Sequence, residues 1–123
     1  MKVLALDYGS ARTGVAVSDP TGTIARPLGV VERAGTDAGL ERLRSLIAEE
    51  EPECVVVGLP LTLRGERGEQ AQETERFVEL LRDAVDVPVE LFDERFTSVL
   101  AAGDDARAAA HLLSSYLEWA RER

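Results

Sequence analysis

Short apolar runs and amphipathic stretches follow one another along this chain, and their periods predict strands first and helices later. Residues 2–7 (Lys-Val-Leu-Ala-Leu-Asp) place four apolar side chains in a row before a carboxylate. A strand covered on both faces has this pattern. Residues 13–18 form a second such run, and the short turn between the two makes a hairpin. Residues 24–32 read as a third strand. Pro27 has no amide proton to give a ladder, so it places that strand at an edge or at a bulge. Leu40, Leu43, Leu46 and Ile47 recur at helical spacing and predict a helix from about Thr36 to Glu51, capped by Thr36 or Asp37 and ended by Pro52. Cys54-Val-Val-Val-Gly58 is the continuous apolar run of a central strand.

After a loop from Leu59 to Gly68, Phe77, Leu80, Leu81 and Ala84 predict a helix over about Glu69 to Val85. Val87 to Asp93 is a further strand. A last helix runs from about Asp105 to Glu122 and buries Ala106, Ala109, Ala110, Leu113, Tyr116, Leu117 and Ala120. The order β-β-β-α-β-α-β-α predicts an α/β fold of one domain. Its mixed sheet has three antiparallel strands, followed by two that run parallel to the first. In such sheets ligands gather beyond the carboxyl ends of the parallel strands. Asp7 and Asp93 both lie at such an end.

The composition narrows the function. The 123 residues are 45% hydrophobic and 30% charged, as in a globular protein, and no apolar run reaches the length of a membrane span. The first residues alternate like a strand at once, without a basic segment and an apolar core of a signal peptide, so a cytoplasmic protein is expected. The lone cysteine, Cys54, heads an apolar strand and reads as buried and inert. A net charge of -9 argues against non-specific coating of nucleic acid. It leaves room for a nuclease, because carboxylates that hold a metal are themselves negative.

The chemistry follows from the acids. Asp7 ends the first strand, Asp93-Glu94-Arg95 ends the last, and Asp104-Asp105 opens the final helix. Converging at one rim, they make a cage of oxygen ligands suited to Mg²⁺ or Mn²⁺, the setting in which water is activated for phosphodiester hydrolysis. The bland alternatives are a turn aspartate, a solvated strand exit and ordinary helix caps. The turn from Tyr8 to Gly14 brings Gly9, backbone amides and Arg12, which could hold a phosphate; Gly9 could equally serve a positive φ. Arg64 and Arg67 flank Gly65 in the long loop, where they either meet a nucleic-acid backbone or stay solvated. Arg95 is fixed beside the acids. His111 reads as a plain helix residue.

Together the motifs resemble the YqgF family of small bacterial proteins. They are Asp7-Tyr-Gly9-Ser-Ala-Arg12-Thr-Gly14-Val-Ala-Val-Ser18-Asp19, Ala25-Arg-Pro27-Leu, Val57-Gly58-Leu59-Pro60-Leu61, Asp93-Glu94-Arg95-Phe-Thr97-Ser98 and Asp105-Ala-Arg-Ala-Ala109-Ala-His-Leu-Leu113, in family order. The resemblance implies a ribonuclease H-like fold with a five-stranded mixed sheet and about three helices. It also implies a divalent-metal nuclease that processes the 5′ end of pre-16S ribosomal RNA, or one that resolves Holliday junctions. In it Asp7 is the first-strand ligand, Asp93 or Glu94 the second acid and Asp105 the helix acid; the residues expected toward the substrate are Gly9, Arg12, Arg64, Arg67, Arg95 and Thr97. The implied partner is structured nucleic acid, pre-ribosomal RNA or branched DNA, bound by a monomer or homodimer. Two features depart from the family. Only Val99 to Asp104 separates Ser98 from Asp105, where relatives carry a longer and often basic segment, and Arg64 stands where they often carry an acid. The shortened segment keeps a third reading open, a ribosome-assembly domain that binds nucleic acid with little catalysis.

Overall fold

The computed structural model describes residues 1–62, 64–93 and 105–123. Eight elements follow in chain order: β1 (Val3–Asp7), β2 (Arg12–Ser18), β3 (Ala25–Glu32), α1 (Asp37–Glu50), β4 (Cys54–Leu59), α2 (Glu69–Ala84), β5 (Val89–Asp93) and α3 (Asp105–Arg121). The strands form one sheet in the order β3-β2-β1-β4-β5. β1 with β2 and β2 with β3 are antiparallel, while β1 with β4 and β4 with β5 are parallel. This is the mixed sheet expected from the element order.

Alternation along the strands sorts the core into two layers. Leu4, Leu6, Val15, Val55 and Val57 meet Leu43, Ile47, Phe77, Val78 and Leu81 from α1 and α2. Val3, Ala5, Ala16, Cys54 and Val56 meet Ala109, Leu112, Leu113, Tyr116 and Leu117 from α3. Burying one such aliphatic or aromatic side chain contributes about 1.5–3 kcal/mol, so both layers hold the sheet.

Local chemistry sets the element ends. The Thr36 hydroxyl caps α1 by accepting from the Gly39 amide at 3.2 Å and donates to the Arg33 carbonyl at 2.7 Å. Glu51 closes that helix in the left-handed region, and Pro52 follows. β3 is an edge strand, and its pairing shifts so that Val15 faces Gly29 and Ala16 faces Pro27, which leaves Leu28 as a bulge. Both expectations for Pro27 therefore hold. In the β2–β3 loop the Asp19 carboxylate accepts the amides of Thr23 and Ile24, each at 2.8 Å.

Two helix stripes differ from their sequence reading. Leu80 is 47% exposed, because α2 turns Ala71, Thr74, Phe77, Val78 and Leu81 to the sheet. On α3, Leu112 is fully covered while Ala106, Ala110 and Ala120 are half-buried. In both cases the centre of the expected stripe is buried, Phe77 and Leu81 on α2 and Ala109, Leu113, Tyr116 and Leu117 on α3, and only its edges differ. Among the described residues no helix is long and apolar enough to cross a membrane.

Candidate active site

Asp7 is the last residue of β1 and pairs with Gly14 across the antiparallel ladder to β2. It shares the parity of Val3 and Ala5, so it belongs to the face that α3 covers. Gly14 lies directly opposite on the same face. The first backbone of α3 packs onto it, and a Cβ at Gly14 would overlap the Asp105 carbonyl. A missing side chain on β2 thus seats the start of α3 beside the end of β1, and it brings together two acids from opposite ends of the chain.

The electrostatics record that meeting. Burial pushes the Asp7 carboxyl pKa up, and the Asp105 charge adds to the shift. The Asp105 Oδ2 atom lies 3.2 Å from Arg12 Nε. Arg12 is the first residue of β2, two positions before Gly14. Asp7, Arg12 and Asp105 therefore form one charged group at the carboxyl rim.

The hairpin turn is shaped by contact more than by torsion. Gly9 has no left-handed φ; a Cβ there would overlap the Arg12 carbonyl. Its amide and carbonyl share the Thr13 hydroxyl, each at 3.4 Å. Tyr8 stacks on Phe77 with ring centroids 4.3 Å apart. Beyond β1 opens a cleft of about 240 Å³ lined by Asp7, Tyr8, Gly9 and Ser10, by Pro60 after β4, and by Gln70, Glu73 and Thr74 of α2. The α2 wall is absent from the sequence reading. Its signal was present: a helix that follows a β4 run begins at the carboxyl rim of a parallel sheet.

The remaining expected residues fall on other elements or outside the described residues. Asp93 ends β5 opposite Leu59, is exposed, and shares the parity of Val89 and Leu91, so it alternates away from the face of Asp7. Arg67 donates from Nε to Glu75 at 3.0 Å, which ties it down on α2, and Arg64 is exposed in the loop. Glu94, Arg95, Thr97 and Asp104 lie outside the described residues. Among those described, no three carboxylate, histidine or cysteine side chains group as a metal cage. Cys54 is buried at the far end of β4, and burial, with the Glu90 charge, pushes its thiol pKa up, as an inert cysteine requires. His111 is exposed on α3.

The model of the family described as RuvX, Holliday junction resolvase, matches residues 1–104. The chain belongs to this RuvX family. A relative from Chloroflexus aurantiacus, carrying the name "Putative pre-16S rRNA nuclease", is 48% identical over 99 residues, covering 80% of this chain and 65% of its own length. The chain thus spans just under two thirds of that relative. A protein of the same name from Syntrophomonas wolfei is 36% identical over 133 positions, covering 96% of this chain and 94% of its own. That alignment is longer than the 123 residues here, so the Syntrophomonas member carries residues that this chain lacks.

Among solved structures, T. thermophilus RuvC in complex with a Holliday junction substrate superposes with a TM-score of 0.62 at 19% identity, covering 99% of this chain and 96% of that one. Fowlpox virus resolvase with Holliday junction DNA gives 0.56 at 12%, covering 98% and 99%. At these identities the likeness is one of fold, the ribonuclease H-like sheet of the resolvases. The RuvX match ends one residue before Asp105, so the packing on Gly14 is what joins Asp105 to the site.

Proposed function

We propose that this chain is a divalent-metal-dependent nuclease that hydrolyses phosphodiester bonds and processes the 5′ end of pre-16S ribosomal RNA as one ribonuclease H-like domain in the cytoplasm. The observation that carries the reading is the meeting of Asp7 and Asp105 at the carboxyl rim, beside a polar cleft. Membership of the RuvX family and the names of the curated relatives support it.

The donor set fits Mg²⁺ or Mn²⁺. Both close carboxylates offer oxygen only, and the Asp105 charge adds to the cost of ionising Asp7, which a hard cation would relieve. Mg²⁺ typically uses one or two protein carboxylates, several waters and substrate phosphate. Asp7 and Asp105 would hold the ion, with Asp93 or Glu94 as the further acid. When bound, the ion supplies an activated water and stabilises charge on the leaving oxygen.

The chain's own residues do the positioning. The β1 ladder fixes Asp7 against drift, and Gly14 sets the depth of Asp105. Arg12 and the Gly9 turn face an incoming phosphate, with Arg95, Thr97, Arg64 and Arg67 as further backbone contacts. With a net charge of -9, these local cations and the ion bring the polyanion in.

A second reading is resolution of four-way DNA junctions by a homodimer, which the family description favours. A third is assembly-factor binding with little turnover, which the shortened segment before Asp105 favours. Cleavage of a 5′-labelled pre-16S transcript and of a four-way junction, each with Mg²⁺ or Mn²⁺, separates the three. Asp7→Asn is expected to abolish Mg²⁺- or Mn²⁺-dependent cleavage. Equal cleavage by parent and variant would overturn the assignment, and binding without turnover would select the third reading.

A further inference from the structure

The Asp105 carboxylate already has a cationic partner. Arg12 Nε stands 3.2 Å from Asp105 Oδ2, in a pair whose side chains are 64% and 33% exposed. Such a pair is accessible to water and exchanges readily. The backbone of α3, by contrast, packs directly on Gly14, a contact that does not involve the guanidinium. The fold has therefore separated two tasks: Gly14 sets where Asp105 is, and Arg12 sets what charge it meets.

We infer that Arg12 is a positioning residue that balances Asp105 until substrate arrives, then passes to a substrate phosphate and leaves Asp105 to a divalent cation. The inference rests on the nuclease reading above. Arg12 adds one positive charge to two acids, and a guanidinium held on Asp105 repels an incoming cation. A phosphodiester anion offers Arg12 a better-matched partner, because guanidinium and phosphate pair through parallel charge-assisted hydrogen bonds. Drawing Arg12 to the phosphate restores the full charge of Asp7 and Asp105. Substrate and metal then favour each other's binding, and the coupling is reciprocal. Metal loading would be weak on the free protein and strong on the complex, which suits an acidic protein with a small metal site.

The test is Mn²⁺ affinity of the full chain, read by electron paramagnetic resonance without nucleic acid. Arg12→Gln is expected to bind Mn²⁺ roughly two- to fivefold more tightly than the parent, the range an exposed ion pair can supply. Arg12→Lys keeps the charge and is expected to stay close to the parent. A structural role would give the opposite sign, since loosening Asp105 weakens metal binding. Adding a four-way DNA junction with phosphorothioate linkages at its centre should raise Mn²⁺ affinity in the parent and raise it less in Arg12→Gln. Unchanged or weaker Mn²⁺ binding by Arg12→Gln, or an equal rise with the junction, would overturn the role of Arg12. Asp7→Asn and Asp105→Asn separate this from the underlying reading. If both bind Mn²⁺ as the parent does, the metal site itself fails. If both bind weakly while Arg12→Gln is no tighter, only the Arg12 inference falls.

Discussion

Asp7 stands where a carboxylate raises the energy of the fold, half-buried and facing a second acid. Its pKa is raised above the ordinary value near 3.8, first by burial and then by Asp105. A group shifted this way favours folding when protonated, so its ionised form costs stability as pH rises past the ordinary value. Asp7→Asn is therefore expected to melt higher than the parent at neutral pH without divalent ions, with the gain fading below about pH 4. Calorimetry from pH 3 to 8 checks this; a parent that is more stable at neutral pH would contradict it. Asp19 gives the opposite sign. The Ile24 amide, the Thr21 hydroxyl and the Thr23 amide hold its carboxyl well below the usual range. Asp19→Ala should destabilise at neutral pH, and the difference should close as acid protonates the parent. Both aspartates are visible in the sequence, one after an apolar run and one before a turn. That Asp105 pairs with Arg12 is not visible, because the two lie far apart along the chain and meet only through the packing on Gly14.

At the scale of elements, the pattern of apolar residues locates all eight segments to within about two residues, because each strand is a short apolar run, each helix carries an apolar stripe, and most end at a polar or proline signal. Asp7 was placed correctly at a strand end for the same reason. The stripes themselves were less legible. Leu80, expected in the stripe, is exposed, and Leu112, not expected there, is covered, because which edge position is covered depends on the surface beneath. In the sequence Gly14 shows only as part of a hairpin motif, since one sequence does not say which backbone will land on a glycine. Its role makes a clear contrast with Gly29, where a Cβ would meet nothing within 4 Å. Gly14→Ala forces α3 off β2 and should cost about 1–3 kcal/mol, as overpacking does. Gly29→Ala should be nearly neutral. Urea unfolding of the two variants measures both; equal effects would contradict the seating of α3 described here.

Over the whole molecule, the topology was legible because three strands in hairpins followed by two strand-helix units allow few sheets. The ribonuclease H-like order β3-β2-β1-β4-β5 puts β1 at the centre, and the acid at its carboxyl end is the pivot of the site. Of the expected acids, Asp7 and Asp105 meet, Asp93 ends β5 with the parity of Val89 and Leu91, and Glu94 lies outside the described residues. The central claim is that Asp7 and Asp105 share one divalent ion. A crystal soaked in Mn²⁺, with the ion located by anomalous scattering, tests it most directly. One peak is expected between the two side chains, within direct coordination distance of a carboxylate oxygen of each. The two carboxylates facing solvent with no ion between them, in crystals that bind Mn²⁺ elsewhere, would contradict it.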